Sequence, residues 1–239
     1  MSQGWNPWHG CVKYSEGCAN CYVYRIDNVT QRDSSIVTRN SAFDLPVKRG
    51  RDGYKIKSGE TVYTCFSSDF FIDAADDWRP EAWRMIAARS DLHFVIFTKR
   101  VSRIADCLPD DWGDGSCYSH VTLGCSCENQ RRADERLPLF LGLPLPHRVI
   151  VCEPLLGPIR LTPYLDGRIE QVSAGGESGD NARLCDYDWV LAIRNDCAAA
   201  GVPFCFHQTG ANFRRGDKIY HIPRNLQQQQ ARRADIDIK

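Results

Sequence analysis

Six short apolar runs between residues 61 and 206 constrain the fold of this chain more than any other feature. They are Thr61–Phe66, His93–Thr98, His120–Leu123, Arg148–Cys152, Ile169–Ser173 and Val202–Phe206. Each is rich in β-branched or aromatic residues, which suit a pleated strand. Several are nearly continuous in apolarity, the pattern of strands buried on both faces of a parallel sheet. Helical spacing of apolar residues fills the gaps. Pro80–Arg89 carries Trp83, Ile86 and Ala87, with Pro80 near its start. Val101–Leu108 and Asn129–Leu137 are shorter candidates. Tyr187–Ala200 places Trp189, Val190, Ile193, Cys197 and Ala200 on one face, and Gly201 closes it. Strands alternating with helices predict an α/β chain with a parallel sheet. Six strands and an N-terminal segment suffice for a full or partial (β/α) TIM-like barrel. At 239 residues, one domain over 1–239 is the expectation.

The polar punctuation falls at the carboxyl ends of these runs. Ser67-Ser68-Asp69, Lys99-Arg100, Gly124 to Asn129, Glu153-Pro154, Gly175 to Gly179 and Gln208-Thr209-Gly210 follow the successive strands. Barrel enzymes build their active sites there. A doubly wound open sheet would do the same, so this feature alone does not choose between them. Residues 31–60 read as a surface insertion with room for a short hairpin, 109–117 as a loop, and 221–239 as a polar tail, helical or disordered.

Twelve cysteines are many for such a chain. The length is wrong for a secreted disulfide framework, and the start has neither a charged n-region nor an apolar h-region. No run approaches a membrane span, so a soluble cytoplasmic protein without a membrane partner is expected. Cys65, Cys152 and Cys205 lie in apolar runs and read as core. Cys11, Cys18 and Cys21 cluster in a polar stretch, 1–30, that reads as a cluster-binding segment. Six residues separate the first pair and two the second. Thiolates suit zinc or an iron–sulfur cluster. Three local thiolates leave one iron of a four-iron cubane open. On the residues alone a zinc site also stands: Cys18-x-x-Cys21 with Cys125-x-Cys127, or with Cys11, and His9 as a further donor.

The run Trp5-Asn-Pro-Trp-His-Gly-Cys-Val-Lys-Tyr-Ser-Glu-Gly-Cys-Ala-Asn-Cys-Tyr22 resembles the opening of a bacterial and bacteriophage family. That family is described by its three-cysteine motif and grouped with radical S-adenosylmethionine (SAM) proteins. The resemblance continues through Phe97–Arg100, Glu153–Gly157, Gly175–Gly179 and Gly201–Phe204, in order along nearly the whole chain. It implies a [4Fe–4S] cluster on Cys11, Cys18 and Cys21, with SAM at the open iron and an electron donor to reduce the cluster. In radical SAM enzymes the reduced cluster splits SAM to methionine and a 5′-deoxyadenosyl radical, which abstracts hydrogen from an unactivated carbon. Two departures stand out. Most such proteins have three residues, not six, before the C-x-x-C. Most also have an aromatic residue immediately before the third cysteine, where this chain has Asn20 and places Tyr22 after it.

Other residues have a ligand reading and a structural one. Gly175-Gly176-Glu177 resembles the Gly-Gly-Glu element that meets the SAM amino group, and also suits a tight turn at a strand end. Glu153 ends a buried strand, where a carboxylate needs a partner. It suits SAM or a substrate, or an ion pair with Lys99 or Arg100. Ser67, Ser68 and Asp69 suit a ribose or carboxylate, or a capped turn. Lys99 and Arg100 suit an anion. Cys125 and Cys127 suit a second metal, hydrogen-atom donation by Cys127, or plain thiols. His207 and Gln208 follow the last strand and line its end. Trp5 and Trp8 suit a dry cover over the cluster.

The expected function is a radical SAM enzyme acting on a small-molecule, peptide or nucleotide substrate. Two alternatives stay open: a zinc-stabilised protein without chemistry, and a nucleic-acid-modifying enzyme. Formal net charge is +0 and the pI about 7.0, so no broad electrostatic grip on nucleic acid is indicated.

Overall fold

The structure, a computed structural model, describes residues 2–239. By its contacts the chain divides into two compact units that interleave along the sequence. The first holds residues up to Lys13, Val23–Gly124 and Leu143–His147. The second holds Tyr14–Tyr22, Cys125–Gly142 and Arg148–Lys239.

In the first unit, strands β1 (Ser2–Trp5), β2 (Thr61–Thr64), β3 (His93–Thr98) and β4 (Val121–Ser126) are hydrogen-bonded in that order. Cys125 and Ser126, the last residues of β4, count with the second unit. The β1–β2 and β2–β3 pairs are parallel, with Trp5 opposite Thr64 and Thr64 opposite Ile96. β1 was not legible as a strand, because Ser2-Gln3-Gly4 is polar, small and exposed. Its pairing with β2 and the buried Trp5 hold it in place. Helix α1 (Tyr22–Val29) also lies outside the expected elements. Helix α2 (Arg79–Ala88) begins with Pro80 in its first turn and buries Trp83 and Ile86. Trp83 meets Phe70 edge to face at 5.0 Å, and Phe70 lies 5.3 Å from Trp8. The 31–60 segment is exposed over much of its length and contains a two-residue hairpin, Arg49–Gly50 with Gly53–Tyr54. It is also pinned inward. Phe43 and Ile56 are buried, and the buried Arg89 donates to the carbonyls of Pro46 and Ile56.

In the second unit, β5 (His147–Cys152, from Arg148 on), β6 (Gln171–Gly175) and β7 (Phe204–Gln208) form parallel neighbours. Helix α3 (Gln130–Leu141) is capped by Asn129, whose side chain accepts from the Arg132 N–H at 3.1 Å. Helix α4 (Tyr187–Ala200) has the expected bounds. Asp186 caps its start, and Gly201 leaves it at φ +67°. Leu184–Asp186, Asn212–Arg215 and Lys218–His221 make a small mixed sheet. The polar tail is ordered as helix α5 (Arg224–Arg233), anchored by buried Gln227 and Ala231.

The class is therefore α/β with parallel strands, as the apolar rhythm predicts. Among the described residues, no helix is long and apolar enough to cross a membrane.

Candidate functional site

Cys11 belongs to the first unit, and Cys18 and Cys21 to the second. Among the described residues no three His, Cys, Asp or Glu side chains are gathered as a ready metal site. None of the twelve cysteines is in a disulfide. Seven are buried, whereas Cys11, Cys18 and Cys21 are all partly exposed. Their segment is held from both sides of the sequence by groups that sequence spacing could not connect.

In the first unit, Gly10 sets the path into Cys11. Its φ is +94°, and a Cβ there would lie 2.3 Å from the Ile36 carbonyl oxygen. The Cys11 N–H donates to Ser34 O at 2.7 Å, and the Tyr24 hydroxyl donates to Cys11 O. Arg100, 5% exposed, donates from Nη1 to Cys11 Sγ at 3.7 Å and from Nη2 to Val12 O at 2.7 Å. Asp69 holds Arg100 at 3.3 Å. Its carboxylate also accepts from the Thr98 hydroxyl at 2.8 Å, the Phe71 N–H at 2.9 Å and the Lys99 N–H at 3.3 Å. Burial works against the Arg100 charge, but Asp69 and Cys11 outweigh it and hold the guanidinium above its usual range. Ser67 and Ser68 turn their hydroxyls onto Trp8 O and Gly10 O. The Ser67-Ser68-Asp69 turn thus carries the segment that leads to Cys11. Trp5 and Trp8 are fully buried, their indole N–H groups donating to Phe43 O and Asp69 O.

In the second unit, Glu16–Cys18 form one 3-10 turn, and the Cys21 N–H donates to Cys18 O at 3.3 Å. The six-residue gap before Cys18 is where this loop is fastened. Glu128, fully buried, accepts from the Ser15 hydroxyl, the Gly17 N–H at 3.4 Å and Arg136 Nη1 at 2.8 Å. Glu16 accepts from Asn129 at 2.6 Å and from Arg132 at 2.7 Å. The Arg132 hydrogen bond outweighs burial and lowers the Glu16 carboxyl to about 2. Glu177, 6% exposed, accepts from Asn20 Nδ2 at 2.9 Å and from Arg183 at 2.6 Å. Arg183 also donates to Glu16 O at 2.9 Å. Burial opposes the Glu177 charge, but Arg183 and Asn20 hold its carboxyl below the usual range. Tyr22, 40% exposed, starts α1.

The Gly175-Gly176 pair makes room for the chain itself. A Cβ on Gly176 would lie 2.2 Å from Thr209 O, and one on Gly175 would lie 3.1 Å from Glu153 Oε2. Glu153 accepts from the Ser173 hydroxyl at 2.8 Å and meets His207 Nδ1 at 2.7 Å. Cys125 and Cys127 stand with sulfurs 3.6 Å apart, both fully buried, and burial pushes the Cys125 thiol well up.

Tyr24, Arg136 and Arg183 carry no local signal of these roles, and Glu128 stands out only as part of the strand-end stretch Gly124 to Asn129. Its signal is faint: a carboxylate just after an apolar strand, with Arg132 and Arg136 four and eight residues on along a helix. By donor type alone, partly exposed thiols suit zinc and iron–sulfur ligation alike.

No curated protein and no solved structure matches the chain. A family profile described as "Protein of unknown function (DUF5131)" matches residues 1–235, and the chain belongs to that family.

Proposed function

We propose that this chain is a radical SAM enzyme in which Cys11, Cys18 and Cys21 hold a [4Fe–4S] cluster, on a partial (β/α) barrel. The observation that carries the reading is the sorting of the cysteines. Three within residues 11–21 are partly exposed, on a segment fastened by buried charged groups, while seven of the other nine are buried, Cys205 being partly exposed and Cys117 exposed. When bound, the cluster supplies reductive cleavage of SAM, with the electron coming from an external donor.

The chain's own residues position and shield. Arg100 sets a fixed positive charge against Cys11 sulfur, which ligates iron as thiolate. Glu128, itself paired with Arg136, holds Ser15 and Gly17, and Glu177 holds Asn20 inside the C-x-x-C. Asn20 is therefore a structural tie at the position where an aromatic is usual, and Tyr22 is the exposed aromatic that suits the adenine. Trp5 and Trp8 keep water from the segment they flank. Lys99 and Arg100 favour an anionic group on SAM or substrate.

The test is anaerobic reconstitution with iron and sulfide, then dithionite and SAM. About four irons and four sulfides per chain and release of 5′-deoxyadenosine are expected. One zinc with neither iron nor sulfide would instead establish the structural-zinc protein.

A further inference from the structure

Strands β6 and β7 run in register from Val172 opposite Phe204 to Ala174 opposite Phe206. The next pair is Gly175 with Gln208. The register skips His207, so His207 is the extra residue of a β-bulge. Bulges re-aim single side chains and occur beside active sites. This one stands at the carboxyl end of a parallel strand, where α/β folds place their chemistry.

His207 is aimed at Glu153, which follows the carboxyl end of β5. Its Nδ1 lies 2.7 Å from Glu153 Oε2, and Ser173 on β6 donates to Oε1 at 2.8 Å. Gly175 leaves the space this carboxylate occupies. Three neighbouring strands thus contribute one residue each. A carboxylate facing Nδ1 keeps the proton there and leaves the Nε2 lone pair as acceptor. The Gln228 amide sits on that lone pair at 3.3 Å, long for a hydrogen bond. The His207 side chain is 50% exposed, so an incoming group can displace the amide.

We infer that Ser173, Glu153 and His207 form an acid–base site that takes a hydroxyl-bearing substrate. The substrate O–H donates to His207 Nε2. The O–H bond breaks with its electron pair left on oxygen, and the proton moves to Nε2. The imidazolium faces the Glu153 carboxylate and later releases the proton to water. Ser173 and Glu153 are positioning residues, and His207 is the base. The Glu153 hydrogen bond outweighs burial and raises the His207 pKa above 6.5, whereas Arg232 on α5 opposes the rise. The inference does not depend on the iron–sulfur reading.

Two measurements on the full chain test it. The first is a ¹⁵N-histidine NMR titration. It should show the Nδ1–H tautomer of His207 with a midpoint above 6.5, and a lower midpoint in Glu153→Gln. A dominant Nε2–H tautomer, or a midpoint unmoved by Glu153→Gln, overturns the assignment. Should Glu153→Gln fail to fold, diethyl pyrocarbonate modification mapped by mass spectrometry decides instead. His207 should react severalfold faster in Gln228→Ala than in wild type, and an unchanged rate overturns the bare Nε2. The second measurement compares small-molecule extracts of cells expressing wild type, Cys18→Ala and His207→Gln. A wild-type product that falls about 10²-fold or more in His207→Gln, with iron and sulfide content unchanged, supports the base. A product lost in Cys18→Ala but kept in His207→Gln overturns the base and leaves the cluster reading standing. A product kept in Cys18→Ala but lost in His207→Gln does the reverse.

Discussion

Arg100 points its guanidinium at Cys11, with Nη1 3.7 Å from the sulfur, and Asp69 lies 3.3 Å from the same nitrogen. A single buried cation thus serves both the thiol and the backbone beside it, since its other nitrogen reaches Val12 O. Asp69 keeps the cation from being an uncompensated buried charge.

Replacing Arg100 by Gln removes that charge and both contacts to the Cys11 segment. Groups of this kind around a metal ligand typically contribute 10- to 100-fold to affinity. Arg100→Gln should therefore lose iron to a chelator about 10- to 100-fold faster than wild type. Timed iron release after anaerobic reconstitution measures it. Arg100→Lys should be intermediate, because one ammonium cannot reproduce the planar fork.

The Glu128–Arg136 pair is buried on both sides, at 2.8 Å. Removing one partner strands the other's charge in the interior, at a cost of about 3–5 kcal/mol. Glu128→Gln should lower stability by that order in a denaturant titration, and should loosen Ser15 and Gly17. Faster proteolysis between Lys13 and Cys18 is the local readout.

Acid should weaken the loop through Glu16. Its folded carboxyl lies at about 2 against an ordinary 4.5, chiefly because of the Arg132 hydrogen bond. A depressed folded pKa means that the unfolded chain takes up the proton first as pH falls. The stabilisation is complete above about 4.5 and is lost progressively down to about 2. Glu16→Gln should be less stable at pH 7 and show a shallower decline between pH 5 and 2. Thermal unfolding across that range tests it.

Gly176 distinguishes a ligand turn from a packed one. A Cβ at 2.2 Å from Thr209 O meets backbone, which cannot rotate away. Gly176→Ala should destabilise by about 3 kcal/mol or more, at the upper end for overpacking. Wild-type stability in Gly176→Ala would show that the turn has room for a ligand.

The periodic parts of this protein were legible in its sequence. Tyr187–Ala200 is read to the residue, because an apolar stripe and a closing Gly201 are local signals. The six parallel strands after residue 60 were found within three residues, since burial on two faces leaves a continuous apolar run, whereas the three short strands of the small mixed sheet were not. That Cys11, Cys18 and Cys21 are not core was equally visible, because they lie in a polar stretch. β1 was not, because its three leading residues are polar or small and only pairing with β2 makes them a strand. Nor were the partners of the cluster segment. Arg100 meets Cys11 across 89 positions, and Glu177 meets Asn20 across 157. Local composition carries no record of such distances. The sequence by itself determined the parallel α/β rhythm and the polar setting that leaves Cys11, Cys18 and Cys21 partly exposed. Tertiary structure decided what holds them: a buried carboxylate or guanidinium must find its counter-charge wherever the fold brings one, and that choice exists only once the strands have paired.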